Sequence, residues 1–135
     1  MPITIYTDGG ARGNPGPAAA GIVIKEADNT LLEFGQYLGN KETNNFAEYT
    51  AVILALEALK REGYAGRTLE FKMDSKLVVE QVLGNWKIKE PSLKPLVAKI
   101  RALLADFPQH SFTHIPREEN YEADALVNQA LDEQL

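Results

Sequence analysis

The sequence predicts an α/β domain: a five-stranded mixed sheet in the order 3-2-1-4-5 with helices on both faces. Three observations lead there. Alternating side chains mark short strands, the first with Ile3, Ile5 and Thr7 on one side and Thr4, Tyr6 and Asp8 on the other. A long helical pattern then lies between two strands, which favours parallel pairing with a right-handed crossover. Finally, 135 residues of 44% hydrophobic composition are enough for one compact core, so a single domain over 1–135 is expected.

The first strand, residues 3–8, runs into Gly9-Gly10 and then Gly13-Asn14-Pro15-Gly16. This is turn chemistry. It leaves one carboxylate at a strand end, beside a segment of little bulk that another backbone can approach. Residues 18–26 and 30–38 read as two further strands, with the polar break Ala27-Asp28-Asn29 as a hairpin turn. The longest loops are expected at 9–17 and 39–43. Residues 44–62 form a long helix stopped by Gly63. Its polar stripe carries Thr50, Glu57 and Arg61, but Glu48 lies opposite, in line with Ala51, Val52, Ala55 and Leu59. A carboxylate on the core side is costly unless it meets a metal, a cation or a set of donors. The plainer alternative is a glutamate near a helix N-terminus, held by the helix dipole.

Residues 67–74 are the fourth strand, where Asp74 repeats the arrangement of Asp8. Parallel neighbours put these two acids at adjacent carboxyl ends, where open α/β sheets hold their ligands, and the connecting helix brings Glu48 to them. A short helix over 76–83 ends at Gly84, and 85–92 is a loop. An amphipathic helix over 93–107 follows, with Ser92 as its N-cap and Pro95 in its first turn. Residues 111–115 are the last strand and 119–131 the last helix. In that helix Asp124 stands on the shoulder of the apolar face, one turn after Asn120.

The absence of cysteine excludes disulfides and thiolate metal sites. No apolar run approaches a membrane span and no basic-then-apolar leader precedes the first strand, so no membrane partner and a cytoplasmic address are expected. A net charge of −5 is awkward for a nucleic-acid binder. The one basic patch is Lys87, Lys89, Lys94, Lys99 and Arg101 around Trp86, against Glu90 alone. It is either a solvated face with a core tryptophan or a surface for nucleic acid.

Asp8-Gly9-Gly10 with Asn14-Pro15-Gly16, Thr43-Asn44-Asn45 with Glu48, Asp74-Ser75, and Asn120 with Asp124 together resemble ribonuclease H of type 1, over essentially the whole chain. The compact form, without a long basic protrusion after the second helix, is the one it resembles. The resemblance implies the ribonuclease H-like fold and hydrolysis of the RNA strand of an RNA–DNA hybrid, leaving a 5′-phosphate and a 3′-hydroxyl. It also implies two Mg²⁺ ions about 4 Å apart, with Mn²⁺ as a substitute, because hard cations suit carboxylate oxygens. Asp8 would bridge them, Glu48 and Asp74 would complete one site and Asp124 the other. Metal binding would then account for several of the excess acids.

His114, ten positions before Asp124, matches a place where many members carry a histidine that assists proton transfer or product departure, and Arg117 competes for that role. For substrate, the resemblance points to Asn14, Asn44 and Asn45 at the minor groove and sugar hydroxyls, and to Lys41 and Thr43 as a phosphate-holding pair. Trp86 and Asn120 are further expected contacts. Without the protrusion, hybrid binding should be weaker and more salt-sensitive. A monomer is expected, with double-stranded RNA open as a second substrate. The rivals are a DNA-directed nuclease on the same fold and a non-catalytic hybrid-binding module. The asparagine run and glycine loop argue against the first, and retention of all four acids against the second.

Overall fold

The computed structural model describes residues 1–134; Leu135, the last residue of the expected domain, lies outside them. The sheet is built on β1 (Ile3–Ala11), flanked on one side by β2 (Gly16–Glu26) and β3 (Asn29–Glu42), and on the other by β4 (Leu69–Met73) and β5 (His110–His114). The order β3-β2-β1-β4-β5 is the expected one. β1 pairs antiparallel with β2 and parallel with β4, which in turn is parallel to β5.

Helix α1 (Asn44–Arg61) packs on one face of the sheet, against β1 and β2. Helices α2 (Lys76–Leu83) and α3 (Lys94–Leu104) extend that layer, and α4 (Tyr121–Asp132) covers β2, β3 and β1 from the other face. The two faces are built differently. Under α1 the core is thick, with Ile3, Ile5, Tyr49, Val52, Leu56, Leu59, Phe71 and Ile100 all buried in one cluster. Under α4 the buried apolar cluster is Ala19, Val127, Ala130 and Leu131. Small sheet residues let α4 lie close: a Cβ on Gly21 would fall 2.2 Å from the Ala123 carbonyl oxygen.

Several expected boundaries move. β1 continues through Gly9 and Gly10 to Ala11, because Ala18, Ala19 and Ala20 of β2 pair with those residues. The segment 39–43, expected as a loop, instead lies mostly in β3, which runs to Glu42 with irregular pairing near Gly39. The β2–β3 hairpin turns through Ala27 and Asp28, and Ala27 takes the left-handed conformation with φ 54°. Ser92 does not cap the third helix. A 3-10 turn over Pro91–Leu93 leads into α3, and the Ser92 hydroxyl turns back to Glu90. Likewise a 3-10 turn, Arg117–Asn120, precedes α4. Among the described residues no helix is long and apolar enough to cross a membrane.

Candidate metal centre and its cleft

The carboxyl end of the sheet opens into a cleft of about 430 Å³ whose lining includes Asp8, Glu48, Asp74, Asp124, Asn44 and Arg117. Its floor depends on Gly9. A Cβ there would stand 2.3 Å from the Ala47 carbonyl carbon, so only glycine lets α1 rest its first turns on β1. That approach brings Glu48 over the strand, where its Oε1 accepts from the Gly9 amide at 3.1 Å. The first turn of α1 is held by Thr43, whose hydroxyl accepts from the Phe46 amide at 3.1 Å. Asp74 leaves β4 beside Asp8 because the strands run parallel in register, Thr7 against Met73. Ser75 then caps α2 by accepting from the Val78 amide at 3.3 Å.

One oxygen from each of Asp8, Glu48 and Asp74 lies within 4.8 Å of the other two. Burial, then repulsion from Glu48, Asp74 and Asp124, pushes the Asp8 carboxyl far above the usual carboxylate range. Burial and Asp74 push Glu48 up as well, against the opposing effect of hydrogen bonds from the Gly9 amide, Asp8 and Ser75. Crowded acidic oxygens of this kind fit a hard divalent cation, which supplies the charge the pocket lacks.

Asp124 lines the cleft from the opposite layer, near enough to help hold the Asp8 carboxyl up. The Arg117 Nη2 stands 3.8 Å from its Oδ1. Asn128, one turn later, donates from Nδ2 to the Asp124 backbone oxygen at 3.1 Å. Arg12 joins the same side of the cleft, 2.8 Å from the Asp132 carboxylate. Neither Asn128 nor Arg12 stood out in the sequence, although the four-residue spacing from Asp124 to Asn128 is a helical-neighbour signal.

A family model described as reverse transcriptase-like matches residues 6–130. A ribonuclease HI of Halobacterium salinarum is 44% identical over 128 residues, covering 95% of this chain and 63% of that protein. A bifunctional protein of Mycobacterium tuberculosis is 42% identical over 98% of this chain, which spans 36% of its length. Among solved structures, a ribonuclease H1 isolated from compost by a metagenomic approach, crystallised with an RNA/DNA hybrid, superposes with a TM-score of 0.93. It shares 49% identity, with 98% of each chain covered.

The chain belongs to the ribonuclease H family.

The residues that the ribonuclease H resemblance singled out fall in several places. Asp8, Glu48, Asp74 and Asp124 converge in the cleft, with Asn44 and Asn45 on its rim. Asn14 and Asn44 brace one another's loops: the Asn14 side chain accepts from the Asn44 amide at 3.0 Å, and the Asn44 side chain from the Ala11 amide at 2.8 Å. Lys41 and Thr43 lie exposed before α1, with the Thr43 hydroxyl engaged as the cap. Trp86 is 44% exposed, which removes the core-tryptophan alternative. It lines a second hollow of about 570 Å³ that meets the first at Asn45. In the surrounding patch Lys99 pairs with Glu57 at 3.3 Å, and Arg101 donates to the Gln81 backbone oxygen at 3.3 Å.

Two positions differ from expectation. Asn120 is buried rather than presented to a substrate, and its Nδ2 donates to the Thr7 backbone oxygen at 2.8 Å, pinning α4 to β1. His114 ends β5 opposite Met73, and by strand alternation it faces the side of Phe112 rather than α4. It does not line the cleft, whereas Arg117 does.

Proposed function

We propose that this chain is an endoribonuclease that hydrolyses the RNA strand of RNA–DNA hybrids by two-metal-ion catalysis, giving 5′-phosphate and 3′-hydroxyl ends. The observation that carries this reading is the approach of the Asp8, Glu48 and Asp74 oxygens to within 4.8 Å of each other. Asp8 would hold both ions, Glu48 and Asp74 would complete one site and Asp124 the other, with Mg²⁺ as the ordinary ion and Mn²⁺ as substitute. When bound, such ions activate a water and stabilise the leaving oxygen.

The chain's own residues supply position. Gly9 and the Thr43 cap fix Glu48 against β1, so the acidic oxygens are arranged before substrate arrives. Asn44 and Asn45 stand where a ribose 2′-hydroxyl, the group that distinguishes RNA from DNA, could be read. Trp86, Lys87 and Lys89 offer an aromatic surface and positive charge to the backbone of the paired strand. Arg117 stands beside Asp124, where it can steady a phosphate oxygen. This reading takes the chain as a single-domain monomer acting in the cytoplasm.

An end-labelled cleavage assay on hybrid, DNA duplex and RNA duplex, with and without Mg²⁺, tests the reading. Cleavage of the RNA strand of the hybrid is expected only with the metal, and the RNA-duplex arm decides whether double-stranded RNA is a second substrate. Asp8→Asn should abolish cutting while hybrid binding persists. Cutting that survives this change would remove the metal assignment.

A further inference from the structure

Directly after Glu48 in α1 comes Tyr49, a fully buried residue whose hydroxyl the metal cleft does not use. That hydroxyl donates to Oε1 of Gln81 on α2, itself only 4% exposed. The Gln81 Nε2 in turn donates to the Lys87 backbone oxygen at 3.1 Å. Chemistry fixes the direction of this relay. A backbone carbonyl only accepts, so the amide nitrogen must face Lys87, which leaves the amide oxygen to take the phenol proton. Glutamine fits both ends, whereas a carboxylate or an aliphatic side chain cannot.

The segment that Gln81 grips has little other backbone hydrogen bonding, its one apolar anchor being Ile88, which packs against the core. The Asn85 and Trp86 amides bond to the Glu80 carbonyl, closing the end of α2. From Lys87 to Lys89, the Gln81 amide provides the one hydrogen bond to a backbone group among the described residues. Yet this stretch carries Trp86, Lys87 and Lys89 along the hollow that adjoins the cleft.

We infer that Gln81 is a positioning residue, tethering the Trp86–Lys89 segment through Tyr49 to the helix that carries Glu48 and so setting the distance between the basic segment and the acidic cluster. The inference rests on the proposed hybrid substrate for its consequence, but the tether can be read without it. Trp86 is the only tryptophan, so its emission, excited selectively over that of the five tyrosines, reports this segment alone.

The test compares wild type with Gln81→Met, close in length and unable to hydrogen-bond, and with Tyr49→Phe, which keeps the ring and removes the hydroxyl. Acrylamide quenching of Trp86 and steady-state cleavage of a hybrid are measured on each. Gln81→Met should raise quenching and raise KM by roughly fivefold or more, as expected for losing a buried hydrogen bond, while kcat and the Mg²⁺ dependence stay within about twofold. Tyr49→Phe should shift both readouts the same way by less, and it carries the test if Gln81→Met does not fold. A folded variant with wild-type quenching and wild-type KM overturns the inference, as does a fall in kcat at unchanged KM. If wild type neither binds nor cuts hybrid, the substrate reading fails, and the quenching comparison still decides the tether.

Discussion

The two layers around the sheet deliver their acids by different means. Glu48 arrives on α1, which lies on a thick apolar core of large side chains and is drawn onto Gly9 by direct backbone contact. Asp124 arrives on α4, which rests on small residues and a cluster of four, Ala19, Val127, Ala130 and Leu131. Asp124 is held instead by polar neighbours, chiefly Asn128, and its helix by Asn120, which reaches Thr7. Three acids therefore belong to a rigid unit of strand ends and core helix, while the fourth is placed by a thinner layer. Precision in an acidic site can thus come from apolar mass on one side and polar pinning on the other.

Activity should divide along the same line. Asp8→Asn is expected to lower hybrid cleavage by about a thousandfold or more, and Asp124→Asn by roughly ten- to a hundredfold, in single-turnover assays at saturating Mg²⁺. Equal losses would erase the distinction between the two layers. Stability should divide too. Leu56→Ala beneath α1 should cost about 2–5 kcal/mol and Val127→Ala beneath α4 about 1–2 kcal/mol, read by urea denaturation. A Val127 effect as large as that of Leu56 would show that α4 bears more of the fold than its small cluster implies.

The rigid unit also carries a pH signature. The folded carboxyls of Asp8 and Glu48 are raised above their unfolded values, so each contributes stability below about pH 4 that is lost as pH climbs through the raised folded value. From neutral into alkaline pH the metal-free protein should therefore melt at progressively lower temperature. Mg²⁺ should reverse part of that fall by favouring the ionised forms, and Asp8→Asn should flatten the metal-free profile. A flat wild-type profile in thermal scans would contradict the crowding of these acids. The smallest effects belong to the flank. Arg117→Ala should slow cleavage by about two- to tenfold, and His114→Ala by less than about twofold, because only Arg117 faces the cleft. The reverse ranking would return the assisting role to His114.

Much of this was legible in the chain. Glu48 could be read as misplaced on an apolar arc, and Asp8 and Asp74 as equivalent strand ends, because side-chain periodicity depends on local geometry alone. Gly9-Gly10 misled as a turn because its pairing partner, Ala19-Ala20, is a neighbour only once the sheet forms. Ser92 offered the right chemistry for a cap, but Pro91 starts the helical turn one residue earlier. Asn120 carried the family pattern without revealing that its partner would be a backbone oxygen 113 residues away in sequence. Tertiary contacts decided the glycine and asparagine cases, and local backbone chemistry the serine one.

The three residues that β1 adds after Asp8 have a mechanical consequence. With Gly9, Gly10 and Ala11 still paired to β2, the central carboxylate is clamped from both ends by the sheet ladder and cannot swing as a loop residue would. Under the proposed function, adjustment to a duplex would then fall to the exposed Arg12–Pro15 bend at the edge of the cleft.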